Sequence, residues 1–184
     1  RWPHVVFFRA IMAKYSATGD RRYIDALLGH YLGSPCDFSS ARDVLNVEQM
    51  VWLYRITGEK KLLDLAEKTW LDYKAKTNDD NTMKAYMSSK KAYAHGVTYN
   101  EIAKLGAILY SVTGKREYLN PTLKAYKKID KYQMLVDGVM CSNEFMLDND
   151  YMRTHETCDV TDYEWAIGYV YMATGDGLWG DKIE

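Results

Sequence analysis

Four copies of one short pattern constrain this chain more than any other feature. Tyr15-Ser16-Ala17-Thr18-Gly19 recurs as Tyr54-Arg55-Ile56-Thr57-Gly58, as Tyr110-Ser111-Val112-Thr113-Gly114 and as Tyr171-Met172-Ala173-Thr174-Gly175. Five residues after each Thr stands a large apolar residue, Tyr23, Leu62, Tyr118 or Trp179, and seven after stands Asp25, Asp64, Asn120 or Asp181. The glycines are 39, 56 and 61 residues apart, so the unit is fixed while the connections vary. A Gly just past a helical run takes the left-handed conformation without a Cβ penalty and ends the helix. A turn of two or three residues then starts an antiparallel second helix. Each copy therefore marks the bend of a helix hairpin, and repeats of this kind are the first thing to settle about a fold.

The first helix of each hairpin is nearly uniformly apolar: Val5 to Ala13, Met50 to Ile56, Ile102 to Val112, and Tyr163 to Ala173. The last carries one charge in eleven residues, the mark of a helix buried all round. The second helices are amphipathic. Leu119, Leu123, Tyr126 and Ile129 form one stripe, with Lys124, Lys127, Lys128 and Lys131 facing away. Leu62, Ala66, Thr69, Trp70 and Tyr73 form another, against Lys60, Lys61, Asp64, Lys68 and Asp72. Alternating buried and half-wet helices predict an all-α fold of two concentric layers, an (α/α) toroid; a solenoid of stacked pairs would show more even periods. The predicted helices are inner 4–17, outer 21–32, inner 42–56, outer 60–77, inner 96–112, outer 116–133, inner 158–173 and outer from 177. Both ends read as cut. The expectation is one domain over 1–184, a partial six-hairpin barrel with four of about six hairpins, inactive by itself. Only three prolines occur, which suits long helices.

The Thr-Gly bends lie at one end of the helices and the long connections, 33–41, 78–95 and 134–157, at the other, where function concentrates on a rigid frame. All four His (His4, His30, His95, His155) and all three Cys (Cys36, Cys141, Cys158) fall toward the long-connection end. His4 and His30 read as structural. In the third connection, Val136-Asp137-Gly138-Val139-Met140 predicts a short β-hairpin around an Asp-Gly turn. Cys141, Asn143, Glu144, Phe145, Asp148 and Asp150 follow.

Charge excludes several partners. With 24 basic and 25 acidic residues, net −1, nothing points to nucleic acid or an anionic membrane. No apolar run is long enough to span a bilayer, and Arg1-Trp2-Pro3-His4 does not open a signal peptide. Three cysteines cannot form a disulfide framework. Free thiols suit a reducing space and a metal-held thiolate suits a periplasm, so neither compartment is set aside. Aromatic residues make up 14%, with 16 Tyr, as sugar-binding clefts and ordinary cores both require.

Three constellations carry chemistry. Glu156-x-Cys158 sets a carboxylate and a thiol at the start of a helix; zinc accepts both, and helix starts favour thiolates. The competing reading is a first-turn acid and a small buried residue. Glu144 and Glu156 form a possible glycosidase pair, one protonating the leaving oxygen; Phe145 beside Glu144 provides an apolar setting that raises a carboxyl pKa. Against this, Glu144 is a solvated loop residue. His95 in His95-Gly96-Val97 either contacts a sugar or begins a helix. No phosphate loop, GxSxG elbow or HExxH pair occurs.

Glu156-Thr157-Cys158 with its buried helix and Ala173-Thr174-Gly175-Asp176 resembles the β-L-arabinofuranosidase-like family, glycoside hydrolase family 127 and relatives. His95-Gly96-Val97 leading to Leu109-Tyr110-Ser111-Val112-Thr113-Gly114 resembles the inner helix before it, and Leu53 to Ala66 is similar in style. The resemblance implies an (α/α)6 toroid with added β domains and retaining hydrolysis of arabinofuranosides in plant-type or bacterial glycans by a zinc-bound Cys. It implies that Glu156 and Cys158 bind zinc and that the remaining Cys ligands, the nucleophile among them, lie past Glu184. It makes Glu144 the acid/base, twelve residues before Glu156, and His95 a substrate contact; His155 is expected to contact substrate as well, but not on the strength of the resemblance. His155 departs from the family pattern. The alternatives are a toroid epimerase or lyase using His95 and His155 without metal, and a helical carbohydrate-binding scaffold without chemistry.

Overall fold

The four Thr-Gly pairs end helices by one shared hydrogen-bond device. In a computed structural model of the chain, which describes residues 2–33, 35–76, 80–149 and 154–184 (and of Ala41 the backbone alone), Gly19, Gly58, Gly114 and Gly175 have φ of +66°, +71°, +68° and +67°. Each glycine N–H donates to the carbonyl of the Tyr four residues back, at 2.7–2.8 Å. The preceding Thr hydroxyl donates to the carbonyl four residues before it, at 2.8–2.9 Å. The same hydroxyl accepts from the N–H two residues on, at 3.2–3.3 Å. Thr therefore occupies carbonyls and a donor that a helix end leaves open, and Gly supplies the left-handed residue.

The helices are α1 (Trp2–Thr18), α2 (Arg21–Leu32), a 3-10 turn (Ala41–Leu45), α3 (Asn46–Thr57), α4 (Lys60–Ala75), α5 (Asn81–Met87), α6 (Gly96–Thr113), α7 (Arg116–Tyr132), α8 (Thr157–Thr174) and α9 (Gly177–Asp181). The hairpins α1–α2, α3–α4, α6–α7 and α8–α9 are those expected. Several expectations need correction. Inner helix 42–56 is a 3-10 turn followed by α3, and the predicted loop 78–95 contains α5, capped by the Asp80 carboxylate accepting from the Met83 N–H at 2.8 Å. Helix 60–77 ends at Ala75; Thr77 lies outside the described residues, as does Asp150. The helix expected from 177 is only five residues long. Among the described residues no β-strand forms. In place of the expected β-hairpin, Gly138 (φ +82°) turns the chain, the Leu135 N–H donates to Val139 O at 2.9 Å, and one bridge joins Met134 to Met140. The run is too short to build a ladder before Cys141 is drawn to the Gln133 carbonyl.

The chain divides into two compact units, Arg1–Ala75 and Lys76–Glu184. In the first, α1 packs on α2 and α3, and α3 on α4. In the second, α6 is central: α5, α7 and α8 pack on it, and α9 packs on α8. Every residue from Tyr99 to Leu109 is buried. Gly106 admits α7 closely, since a Cβ there would come within 2.4 Å of both Thr122 Oγ1 and Tyr118 O. The Thr122 hydroxyl donates to Ala103 O at 2.7 Å across that contact.

Several sequence readings of burial fail: in α1 Val5 and Phe8 are inside, while Val6 and Phe7 are exposed. α8 is not buried all round: Tyr163, Ala166, Ile167 and Val170 are inside, while Trp165, Tyr171 and Met172 are exposed. Lack of charge shows only that a face has no preference for water, not that a neighbour covers it. Lys128, expected on the wet face of α7, is buried, with its ammonium donating to Ala85 O, Tyr86 O and Ser88 O at 2.5, 3.2 and 2.7 Å. It satisfies the open carbonyls at the end of α5, a helix absent from the sequence reading.

Candidate active site

The site is built where α6 and α8 begin. His95 is the N-cap of α6: its Nδ1 accepts from the Thr98 N–H at 3.2 Å. An imidazole that accepts at Nδ1 carries its proton on Nε2 when neutral, and Nε2 lies 4.0 Å from Glu144 Oε1. His95 thus begins the helix, one of the two roles considered for it, and its ring lies near the Glu144 carboxylate.

Glu144 is the tip of a turn fastened at both sides. Toward α6, the Gly96 N–H donates to Glu144 O and the Met146 N–H to Ala94 O, both at 2.9 Å, and His95 bridges Phe145. Toward α8, the Ser142 N–H donates to Thr154 O and the Thr154 hydroxyl to Ser142 O, both at 3.0 Å. The Glu156 N–H points to Ser142 Oγ at 3.5 Å. Glu144 holds φ +93°, the one non-glycine residue with positive φ among those described. Such strain costs about 1–3 kcal/mol and persists where the surroundings enforce it, as these five contacts do. The apolar enclosure expected for Glu144 is not formed: its side chain is 65% exposed. Phe145 lies to one side, edge-on to His95 and stacked on the exposed Tyr93 with 6.1 Å between centroids.

Beneath this turn a buried polar pair joins the two helix starts. The Asn100 amide donates to Asp159 Oδ1 at 3.0 Å, and both residues are essentially inaccessible. Burial pushes the Asp159 carboxyl up to about 6, against the hydrogen bonds from Ser142 and Asn100 that favour its charge. Gly96 leaves room for it: a Cβ there would sit 1.7 Å from Asp159 Oδ2.

Glu156 is the residue before α8, and one carboxylate oxygen, Oε2, is buried without a hydrogen-bond partner among the described residues. Cys158, two residues on, is exposed, so the reading of it as a small buried residue does not hold. An orphaned carboxylate oxygen beside an accessible thiol fits half of a tetrahedral zinc set. Among the described residues no three His, Cys, Asp or Glu side chains converge to hold a metal ion. His155 goes elsewhere: its Nε2 is 3.0 Å from Asp137 Oδ2 and its Nδ1 3.5 Å from Met140 O, which ties it to the Asp137-Gly138 turn. The Val139 N–H and then His155 hold the Asp137 carboxyl below its ordinary range. His4 and His30 stand in an aromatic group with Phe8 in the first unit.

The structure therefore brings together His95 and Glu144, joins their turn through Ser142 to the backbone of Glu156, two residues before the exposed Cys158, and sets the His155 ring on Asp137. A family model for the β-L-arabinofuranosidase GH127 catalytic domain matches residues 6–184. The chain belongs to this family. Among solved structures, the GH76A α-1,6-mannanase from Salegentibacter sp. HEL1_6 is similar, with a TM-score of 0.66 and 16% identity over 99% of this chain. Inactive variants of that mannanase in complex with α-1,6-mannotriose and α-1,6-mannotetrose superpose with TM-scores of 0.64 and 0.66, also at 16% identity and the same coverage. The chain spans 57% of the length of each of these structures. At that identity the likeness establishes the fold: all-α helix hairpins of the (α/α) toroid class. No curated protein matches the chain.

Sequence reasoning missed Asn100, Ser142 and Asp159. Asp159 stands beside the conspicuous Cys158, and Asn100 falls in the run from Tyr99 to Leu109, where buried polar side chains signal a helix end facing a site rather than plain core.

Proposed function

We propose that this chain supplies part of the active site of a retaining glycoside hydrolase acting on arabinofuranosides. The observation that carries the proposal is the turn at Glu144, fastened on one side to the start of α6 at His95 and on the other to the start of α8 at Glu156-x-Cys158. Glu144 gives its proton to the leaving glycosidic oxygen, and its 65% exposed side chain can reach a bound sugar. His95, fixed by its cap bond, directs Nε2–H at that carboxylate or at a sugar hydroxyl. Phe145 and Tyr93 offer apolar ring surface for a furanose face.

Glu156 and Cys158 would hold zinc together with donors from outside this chain. When bound, the metal keeps its thiolate ligands deprotonated at neutral pH, the state in which a thiol attacks carbon. The buried oxygen of Glu156 would then have a partner.

The test is made on the intact protein by measuring zinc content and turnover of an alkyl β-L-arabinofuranoside, whose leaving group needs a proton, with α-1,6-mannotetraose as the competing substrate. Zinc is expected in the parent and lost in Cys158→Ala. Glu144→Ala should retain zinc while turnover falls by about 10²–10⁴-fold, the usual worth of a general acid. Full zinc in Cys158→Ala, or full turnover in Glu144→Ala, would contradict the assignment.

A further inference from the structure

On the second unit, away from the turn at Glu144, a groove of about 390 Å³ runs between the end of α5 and the outward face of α7. That is within the size range of small-ligand sites. Its lining is unusual for this chain. Lys124, Lys127 and Lys131 stand at i, i+3 and i+7, on one side of α7, and all three are exposed. Among the described residues no carboxylate lines the groove. Among the described residues none of the three makes an ion pair, whereas Lys68, Lys91 and Lys182 are paired with Asp72, Asp148 and Asp130.

Like charges three and four residues apart on a helix repel, each pair by a few tenths of a kcal/mol. Among the described residues no ion pair relieves this repulsion. Lys128 adds to it: its ammonium lies in the groove floor, held by the carbonyls of Ala85, Tyr86 and Ser88. These bonds also fix α5 to α7, so the groove is a rigid feature of the unit. The Tyr132 ring, with the Lys131 ammonium 4.8 Å from its centroid, and the Pro121 ring give flat apolar wall. A solvated lysine face would need neither the cavity nor the rings.

We propose that this groove is an accessory subsite for an acidic glycan, taking a carboxylate- or sulfate-bearing sugar unit, with Lys124, Lys127 and Lys131 on the anion and Tyr132 and Pro121 against the ring. Ser88 and Ser89 line the groove, and the segment after them leads directly to Tyr93 and His95. That the anion belongs to a glycan rests on the glycosidase reading; that the groove takes an anion does not.

The experiment is equilibrium binding to the intact protein by calorimetry, so that it does not depend on turnover. The ligands are tetragalacturonate, a sulfated tetrasaccharide of the heparin type, α-1,6-mannotetraose and inorganic sulfate. The variant is Lys124→Glu/Lys127→Glu/Lys131→Glu, whose positions are exposed and whose folding is checked by its melting curve. At least one acidic tetrasaccharide should bind tenfold or more tightly than mannotetraose, and the tighter of the two identifies the anionic group. Its affinity should drop at least tenfold in the variant and fall as salt rises from 50 to 300 mM, as screening requires. Equal binding by parent and variant, or no preference over mannotetraose, would overturn the proposal. Inorganic sulfate binding as tightly as the tetrasaccharides would overturn its glycan part. A failure of the glycosidase reading would appear instead as absent turnover with this binding intact.

Discussion

Gly96→Ala is the sharpest probe of how the site is assembled. The added methyl would lie 1.7 Å from Asp159 Oδ2 and 2.5 Å from its Cγ, so the carboxyl must move. Asp159 is 1% exposed and cannot swing into water without breaking the 3.0 Å bond from Asn100. Losing a hydrogen bond to a charged group costs about 1.5–3 kcal/mol, and forcing a methyl into packed surroundings about 1–3 kcal/mol. Allowing for overlap between the two, the variant should be destabilised by about 2–4 kcal/mol. For a protein of this size that is a melting-point fall of about 6–12 °C. Urea unfolding of the parent, Gly96→Ala, Asp159→Ala and the double variant closes a mutant cycle. With Asp159 truncated the methyl has room, so Gly96→Ala should then cost under about 1 kcal/mol, a coupling of at least 1 kcal/mol. Costs that add to within about 0.5 kcal/mol would refute the claim that Gly96 is required by the Asp159 carboxyl.

Two further outcomes follow from the same contacts. Glu144→Gly removes a side chain from a residue at φ +93°; it should melt at or above the parent temperature, because relief of about 1 kcal/mol of strain offsets glycine's entropy, while turnover collapses. A lower melting point would mean the conformation is unstrained. Burial pushes the Lys128 ammonium down to about 8 from an ordinary 10.5. The unfolded chain therefore binds the extra proton between these values, so stability gains as pH rises from about 8 toward 10.5 and that gain is lost as pH falls back through 8. Denaturation midpoints of the parent and Lys128→Met, compared across this window, should show the rise in the parent only.

How much was readable before the coordinates depended on whether local chemistry alone decides the structure. The Thr-Gly bends are local: a hydroxyl, a glycine and a carbonyl four residues away suffice, so the four hairpins were legible. α5 is seven residues, too short for Met83, Tyr86 and Met87 to set a pattern by themselves; Asp80 begins it and Lys128, more than forty residues later, ends it. Its omission and the misplacement of Lys128 are one error. Glu144, His95, Glu156 and Cys158 were singled out in the sequence, but not the turn that ties Glu144 to His95 and Glu156, which rests on bonds from residues 142–146 to residues 94–96 on one side and 154–156 on the other. Where the His155 imidazole turns was not legible either, because its partner is the exposed carboxylate of Asp137, eighteen residues earlier.

The central claim is that Glu144 delivers a proton to a departing sugar oxygen. The direct measurement is kcat for the intact parent and Glu144→Gln on two β-L-arabinofuranosides, one with a 4-nitrophenyl and one with an alkyl leaving group. An aryl oxide departs with little help, whereas an alkoxide needs its proton. Turnover of the alkyl substrate should fall by about 10³-fold or more and that of the nitrophenyl substrate far less. Equal losses on the two would show that Glu144 does not protonate the leaving group.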